Sequence, residues 1–548
     1  MTATRVRPGK AIAEPEQPPE RIAAAVEGFF AEHPNSVVLE DGRILFDMRA
    51  ARYSLTNGHG RCALQLWSEE RNIVRRVSAA VERGSARDRV LLLTTLRFGQ
   101  TRTGTLELAA NRDRRPPSSR EAARLRYLKT LERVLLRDQP ARGAGDAWGD
   151  WKPEGFRTAM DLERSFGPAY ARGSLVQGQQ AWAVIGVNAT EPQTTVDGIL
   201  TVGVLWLAHC RESAGGRRLY RGLRIVVPRG MAALTASRLA WMNPAAARWE
   251  LWELDEKTEE LEPRELADHG NVSTRLIQAP QEHTVREGFA EAAGRVMELV
   301  PEAMRGLVEQ RARSGWELGF LLHGLEFARV RAGYAGNSFN CTQEITFGAG
   351  ANETPLTEEN AADLRDLVAR LFGRRAVQGE KRDPLYRMQP ERWLESVLRR
   401  DVTAIDERLQ AAHVYTQVPA FAASDRGMLD LLSVDRDGRL AVIELKADDD
   451  LHLALQGLDY WVRVRWHHQQ NPDQATGLGE FQRHGYFGGV RLAEGAPRLY
   501  LVAPALRIHP ATEVVLRHLS PRVEWELVAL GERWREQVKV VWRKRSGG

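Results

Sequence analysis

The sequence predicts a multidomain fold of mixed α/β and α+β class with a β-rich N-terminal domain. Three observations carry this. The 548 residues suggest three or four domains at roughly 150 residues each. Hydrophobic residues make up 43% of the chain, enough to fill several cores. Apolar periodicity also alternates along the chain between the two-residue repeat of strands and the 3.6-residue repeat of helices.

Residues 1–20 are rich in Pro and charge and read as disordered. The N-terminal domain spans 21–140. It opens on a short helix from Arg21 to Phe30 and continues from Val37 as strands: SVVLEDGRILFDM with a turn at Asp41-Gly42, then RCALQLW, VLLLTTLRF and GTLELA. It ends on a basic helix. After Pro117, Ala122, Leu125, Leu128, Leu131 and Leu135 recur at helical spacing, with Arg and Lys opposite. We read that basic face as solvated rather than as a phosphate-tracking surface. A Gly/Pro/Asp-rich linker covers 138–153. An α/β domain is expected over 150–262 and an α+β connecting domain over 263–380. In the latter, His323 beside Glu326 reads as an ordinary histidine, and the Gly-rich turn before Thr357 lacks the Lys-Ser/Thr of a phosphate loop. The last domain spans 388–548.

The balance of 77 Lys+Arg against 72 Asp+Glu gives +5, compatible with a nucleic-acid partner without demanding one. Cys62, Cys210 and Cys341 are far apart and lack metal-ligand spacing, which fits a reducing cytosol. The first residues, MTATRVRPGKAIAEPEQPPE, hold no apolar signal core, and no run approaches the length of a membrane span. The expectation is a soluble, cytoplasmic protein with no membrane partner.

The most informative stretch is Gly427 to Tyr460. MLDLLSV and LAVIELK are apolar and rich in β-formers, with Asp437-Gly438 as a turn signal between them. Alternation puts Glu444 and Lys446 on one face of the second strand. A two-residue loop would send Asp430 to the other face. A three-residue loop, Arg436-Asp437-Gly438 with Gly438 left-handed, pairs Asp430 with Glu444 and is the predicted arrangement. Neighbouring carboxylates call for a cation. Mg²⁺ suits hard oxygen ligands and phosphate, and Lys446 beside it would orient or deprotonate water and steady developing charge. Asp449 and Asp450 can cap a helix starting near Leu451. On that helix Gln456 and Tyr460, four apart, share a face over the same site.

Asp430, Glu444-Leu445-Lys446 and Gln456-x-x-x-Tyr460 together resemble the PD-(D/E)xK nuclease superfamily, nearest its RecB-like and NucS-like branch. The helix from Glu391 to Leu409 carries Glu395 where that superfamily often has a first acid, and the segment from Val414 to Pro419 resembles its first strand. The resemblance covers roughly the last third of the chain. It implies an αβββαβ restriction-endonuclease-like core, one or two Mg²⁺ or Mn²⁺ ions, Asp430 and Glu444 as metal ligands, Lys446 as catalytic lysine and Glu395 as auxiliary acid. Gln456 and Tyr460 would touch a phosphate or base.

The middle of the chain is similar to this core. PAYARGSL matches PAFAASDR, AWAVIGVN lines up with LAVIELK through Ala-Val-Ile, and an apolar helix and a Pro-terminated strand follow each. Two readings are open, an unrelated strand–strand–helix–strand unit or a degenerate copy; in a copy Gly186 would stand in the place of Glu444 and Asn188 in that of Lys446. Further on, His467 and His468 read as a helix terminus. Phe481, Tyr486 and Phe487 are open to two readings, base stacking or loop anchoring.

What the resemblance implies is a metal-dependent endonuclease hydrolysing DNA, in repair or in defence. The alternative is a catalytically inactive nucleic-acid-binding scaffold on the same fold. Either reading leaves a homodimer or a protein partner open.

Overall fold

The computed structural model describes residues 17–547 except 41–42, 50, 59–60, 68–71, 84–88, 98–102, 111–117, 138–150, 160, 162–164, 268–273, 335–340, 351–353 and 423–424. Of the disorder expected over 1–20, residues 1–16 lie outside the described residues, as do the Asp41-Gly42 turn and most of the Gly-rich linker. Residues 17–20 are ordered instead, the Gln17 N–H bonding the Ser78 carbonyl and the first helix starting at Pro19 rather than Arg21. Mixed α and β structure in several sheets runs through the chain, as the fold class requires.

The chain forms two compact units, and each is discontinuous. The first comprises Met1–Pro116 and Glu282–Met388; the second comprises Pro117–Gln281 and Gln389–Gly548. This differs from a serial arrangement of domains at 21–140, 150–262 and 263–380. The basic helix at 118–137 belongs to the second unit, because its apolar side has its packing partners there.

In the first unit a helix, Pro19–Glu32, buries Ile22, Val26, Phe29 and Phe30 against a seven-stranded antiparallel sheet. The returning segment adds a five-stranded antiparallel sheet. The helices Ala290–Glu298 and Ala361–Arg374 share a core with it through Val296, Leu364, Val368 and Leu371. Glu326, in that sheet, pairs with Arg313 and Arg329.

The second unit holds two modules. The middle module runs α1 (Ser118–Arg137), β1 (Lys152–Arg157), β2 (Tyr170–Gln177), β3 (Gln180–Val187), α2 (Ile199–Ala214), β4 (Leu219–Pro228), α3 (Ala233–Leu239), β5 (Arg248–Asp255) and β6 (Glu260–Arg264). Its six strands lie in sequence order across one sheet. β3, β4 and β5 are parallel and all other neighbours antiparallel. Tyr127, Leu131 and Val134 of α1 pack with Trp182 and Val184 on one face, while α2 covers the other. The Arg-rich side of α1 makes ion pairs inside the module, Arg124 with buried Glu191 and Arg133 with Glu259.

The C-terminal module runs α4 (Pro390–Arg400), β7 (Tyr415–Ala422), β8 (Asp425–Val434), β9 (Leu440–Leu445), α5 (Leu453–His468), β10 (Arg498–Pro504), α6 (Pro510–Leu516), β11 (Trp525–Leu530) and β12 (Val540–Arg545). These strands also lie in sequence order, with the two-residue strand Arg275–Leu276 added beside β7. β9, β10 and β11 are parallel and the rest antiparallel. The two modules therefore share one topology, strand for strand and helix for helix. The expected helix from Glu391 to Leu409 is shorter than its spacing suggested. α4 stops at Arg400, and Asp401 accepts from the Thr403 N–H to start a 3₁₀ turn.

Candidate active site

The β8–β9 turn decides whether the motif assembles. The Asp435 N–H donates to the Arg439 carbonyl at 2.9 Å, which leaves a loop of Arg436, Asp437 and Gly438. Gly438 has φ +82°, and a Cβ there would fall 2.2 Å from the Arg491 carbonyl oxygen, so glycine is required twice over. This is the three-residue loop expected. The ladder pairs Leu431 with Ile443 and Leu432 with Val442, and the same register places Asp430 opposite Glu444.

Asp430 is fixed by the backbone across from it: its Oδ2 accepts from the Leu445 N–H at 2.9 Å. Glu444 is buried at the end of β9, its side chain 3% exposed. Its Oε1 lies 3.3 Å from Lys446 Nζ, while its buried Oε2 has no hydrogen-bond partner. α5 can lie close over it because Gly457 faces the strand; a Cβ there would meet Leu501 Cδ2 at 2.4 Å and Glu444 Cβ at 3.6 Å. Gln456 precedes that glycine, and its Oε1 is likewise buried without a partner.

Further charges surround this pair: Glu395, the expected auxiliary acid, and Glu391 and Arg392, which the motif did not include. α4 contributes Glu391, Arg392 and Glu395. Arg392 Nη1 is 2.5 Å from Glu395 Oε2 and 3.9 Å from Asp430 Oδ1. Glu395 is 1% exposed and also accepts from Gln417 Nε2 at 3.4 Å. Gln417 holds a left-handed φ of +50°, costly for a residue with a Cβ. Lys446 Nζ lies 3.9 Å from Glu391 and 3.6 Å from Asp450. The Asp450 side chain also accepts from the His452 N–H, but the helix begins at Leu453 with His452 as its N-cap and no side-chain cap bond, so neither Asp449 nor Asp450 caps α5 as expected.

Burial raises the Asp430 carboxyl above its ordinary range, with Arg392 opposing and Glu395 assisting. Burial, and then the Asp430 charge, push Glu444 well above its range despite Lys446. Burial also raises Glu391. Lys446 goes the other way: burial disfavours its charge, but Glu444, Glu391, Asp450 and Asp430 outweigh burial and hold it protonated. Burial raises the Tyr460 phenol, and the negative charges of Glu444 and Asp430 raise it further.

An orphaned, buried carboxylate oxygen next to a second carboxylate fits a hard cation. Among the described residues no three His, Cys, Asp or Glu side chains converge as a metal cage. The donor set on offer is thus the two carboxylates, which suits an ion that keeps waters and takes phosphate oxygens.

Other residues singled out in the sequence lie elsewhere. His467 is buried between Glu480 Oε2 at 3.0 Å and Thr274 Oγ1 at 3.1 Å, and His468 Nε2 bonds the Ala493 carbonyl at 2.7 Å, so both are structural. Phe481, Tyr486 and Phe487 are buried and pack on one another or on Tyr415, which removes the base-stacking reading and supports loop anchoring.

In the middle module the counterparts of the motif shift by one residue from the expected alignment. β3 Ile185 pairs with Arg172, Ile225 pairs with Ile185, and Leu251 pairs with Ile225. In the same places the C-terminal sheet has Asp430, Glu444, Leu501 and Leu527. Ile185 also meets a helix glycine as Glu444 does: a Cβ on Gly203 would fall 3.1 Å from Ile185 Cγ2. Ile185, not Gly186, stands where Glu444 stands, and Val187, not Asn188, where Lys446 stands. The cause is the hairpin. Gln177 pairs with Gln180 around a two-residue turn, whereas β8–β9 needs three.

No family model matches the chain, and no curated protein matches it in sequence.

Proposed function

We propose that the C-terminal module is a metal-dependent nuclease centre that hydrolyses phosphodiester bonds in DNA. One observation carries the reading: Asp430 and Glu444 face each other across β8 and β9 with a buried Glu444 oxygen that no protein group satisfies, beside a lysine kept charged.

Asp430 and Glu444 would hold Mg²⁺ or Mn²⁺, which when bound supplies electrophilic activation of the phosphate and acidifies water. Leu445 orients Asp430 through its N–H, and Gly457 lets α5 seal the opposite side of Glu444. Lys446 is ringed by carboxylates, so its role is to donate hydrogen bonds to phosphate oxygen and offset charge that grows in the transition state. It does not take a proton. Arg392 balances Asp430 and Glu395 from α4, and Gln456 and Tyr460 line the α5 side.

Labelled single-stranded, double-stranded and flapped DNA, incubated with either ion, tests this. The wild type is expected to cut and Glu444→Ala and Lys446→Ala to lose cleavage. Binding by all three proteins without any cleavage would leave the fold as a nucleic-acid-binding scaffold. Equal cleavage by the variants would place the activity outside this site.

A further inference from the structure

The two modules of the second unit repeat one another beyond topology. α1 carries LERVLLRD at 131–138 and α4 carries LESVLRRD at 394–401, identical at six of eight positions. Glu132 of the middle module thus corresponds to Glu395. α2 and α5 both span 16 residues with glycine at the fifth. β5 and β11 share Trp-Glu-Leu, at 249–251 and 525–527.

The modules also meet in a reciprocal way. The Asn243 N–H donates to the His518 carbonyl and the Ser520 N–H to the Trp241 carbonyl, each at 2.8 Å, about an antiparallel bridge between Met242 and Leu519. Asn243-Pro244 follows α3 as Ser520-Pro521 follows α6, so each bond maps onto the other when the modules are exchanged. α2 packs on α6 and α5 packs on α3, which is the same exchange. This is an isologous contact of the kind a two-fold dimer makes, built here within one chain.

Only one half keeps the chemistry. Arg172 stands where Asp430 stands, 1% exposed and bonded to the Gly167 and Ala159 carbonyls. A buried guanidinium there repels a divalent cation instead of binding one. Ile185 replaces Glu444 and Val187 replaces Lys446, so neither a ligand nor a cation for the phosphate remains.

We infer that this chain is an internal pseudo-dimer with a single cleavage centre, which engages duplex DNA across both modules and cuts one strand, leaving a nick. The inference rests on the nuclease reading of the Asp430–Glu444 site. The two backbones of a duplex are related by two-folds, and paired modules about a two-fold match them; with one centre disabled, one backbone is cut. In each event water adds to phosphorus, the bond from phosphorus to one deoxyribose oxygen breaks and that oxygen takes a proton. One phosphomonoester and one hydroxyl end result, and the opposite strand stays intact.

Supercoiled plasmid incubated with the full chain and Mg²⁺ or Mn²⁺ tests this. Open circles are expected to accumulate to near completion before linear molecules appear, and Lys446→Gln is expected to lose both products. Linear molecules forming at the initial rate of open circles would overturn the inference and leave the nuclease reading standing, whether the second centre lies in this chain or in a second copy. Nicking by Lys446→Gln at the wild-type rate would also overturn it, because a second centre would then exist. No conversion by the wild type under either ion removes the nuclease reading, and the nicking inference with it.

Discussion

The Leu445 N–H donates to Asp430 Oδ2 at 2.9 Å, so Asp430 is tied to the strand that carries Glu444. The bond brings two carboxyls together at a place where burial disfavours the charge of both. That arrangement is costly without a cation and gives the first prediction.

Both carboxyls are raised in the folded state. Their contribution to stability is therefore complete below the unfolded values near about pH 4 and is lost as pH rises through the folded ones. The metal-free protein is expected to lose stability as pH climbs from about 5 toward 8, and Mg²⁺ or Mn²⁺ to restore it. Glu444→Gln removes the larger part of that dependence. Thermal denaturation in chelator across this range checks it. A profile as steep in Glu444→Gln as in the wild type would disprove the assignment.

Lys446 carries the second prediction. Its pKa is raised, so its stabilising charge is present below the unfolded value and persists until pH passes the higher folded one. No alkaline limb from Lys446 is expected in a cleavage profile up to about pH 10. Lys446→Gln is expected to lower the rate by about 10²- to 10³-fold, with DNA affinity changed far less. Single-turnover cleavage measured beside equilibrium binding separates the two effects; an equal loss in both would make Lys446 a binding residue only.

Much of this site was legible in the sequence because hairpin chemistry is local. Asp437-Gly438 marks the turn and the alternation of LAVIELK puts Glu444 and Lys446 on one face, but the turn letters allow a loop of two or three residues; the three-residue loop, and with it the register of Asp430, follows only from the clustering of the acids and the lysine. The same local reasoning misaligned the middle module: Ala-Val-Ile matches in letters one residue out of register because the ladder is set by a shorter turn, and the YARGSL of PAYARGSL lies on β2 whereas PAFA lies on β7, the counterpart of β1. Arg392 and Glu391 were hidden for another reason. PERWLESVLRR is so densely charged that spacing alone cannot say which charges turn inward, and only packing of Trp393, Leu394 and Leu398 orients the helix. The left-handed Gln417 leaves no mark in composition. The interleaving of the two units rests on contacts hundreds of residues apart, which no local pattern carries.

Gly457 gives the third prediction. Its missing side chain lets α5 approach β10 and Glu444 closely, and Gly203 does the same for α2 over Ile185. Gly457→Ala places a Cβ 2.4 Å from Leu501 Cδ2 and 3.2 Å from Leu499 Cδ1, both fully buried. Overpacking of about 1–3 kcal/mol is partly offset by about 1 kcal/mol of helix propensity. The expected outcome is a small loss of stability and a larger loss of cleavage, because Gln456 and Tyr460 move with the helix. Denaturant unfolding compared with cleavage rate would show it; unchanged cleavage would mean that the α5 side chains do not contact the reacting phosphate.

The last prediction uses the internal repeat as its own control. Ile185 and Glu444 occupy the same niche, a strand position against a glycine on the covering helix, and the niche holding Ile185 is 0% exposed. An isoleucine therefore fits there in shape. In the C-terminal module it would remove a buried carboxylate whose Oε2 has no partner, an atom that costs about 1–3 kcal/mol when left unsatisfied. Glu444→Ile is expected to fold, to be more stable than the metal-free wild type at neutral pH by an amount of that order, and to show neither metal-induced stabilisation nor cleavage. Denaturant unfolding at about pH 7.5, with and without Mn²⁺, checks both halves. A variant that is less stable than the metal-free wild type would mean that the Lys446–Glu444 pair outweighs the burial of the carboxylate, and that Glu444 holds the fold together rather than waiting for a cation.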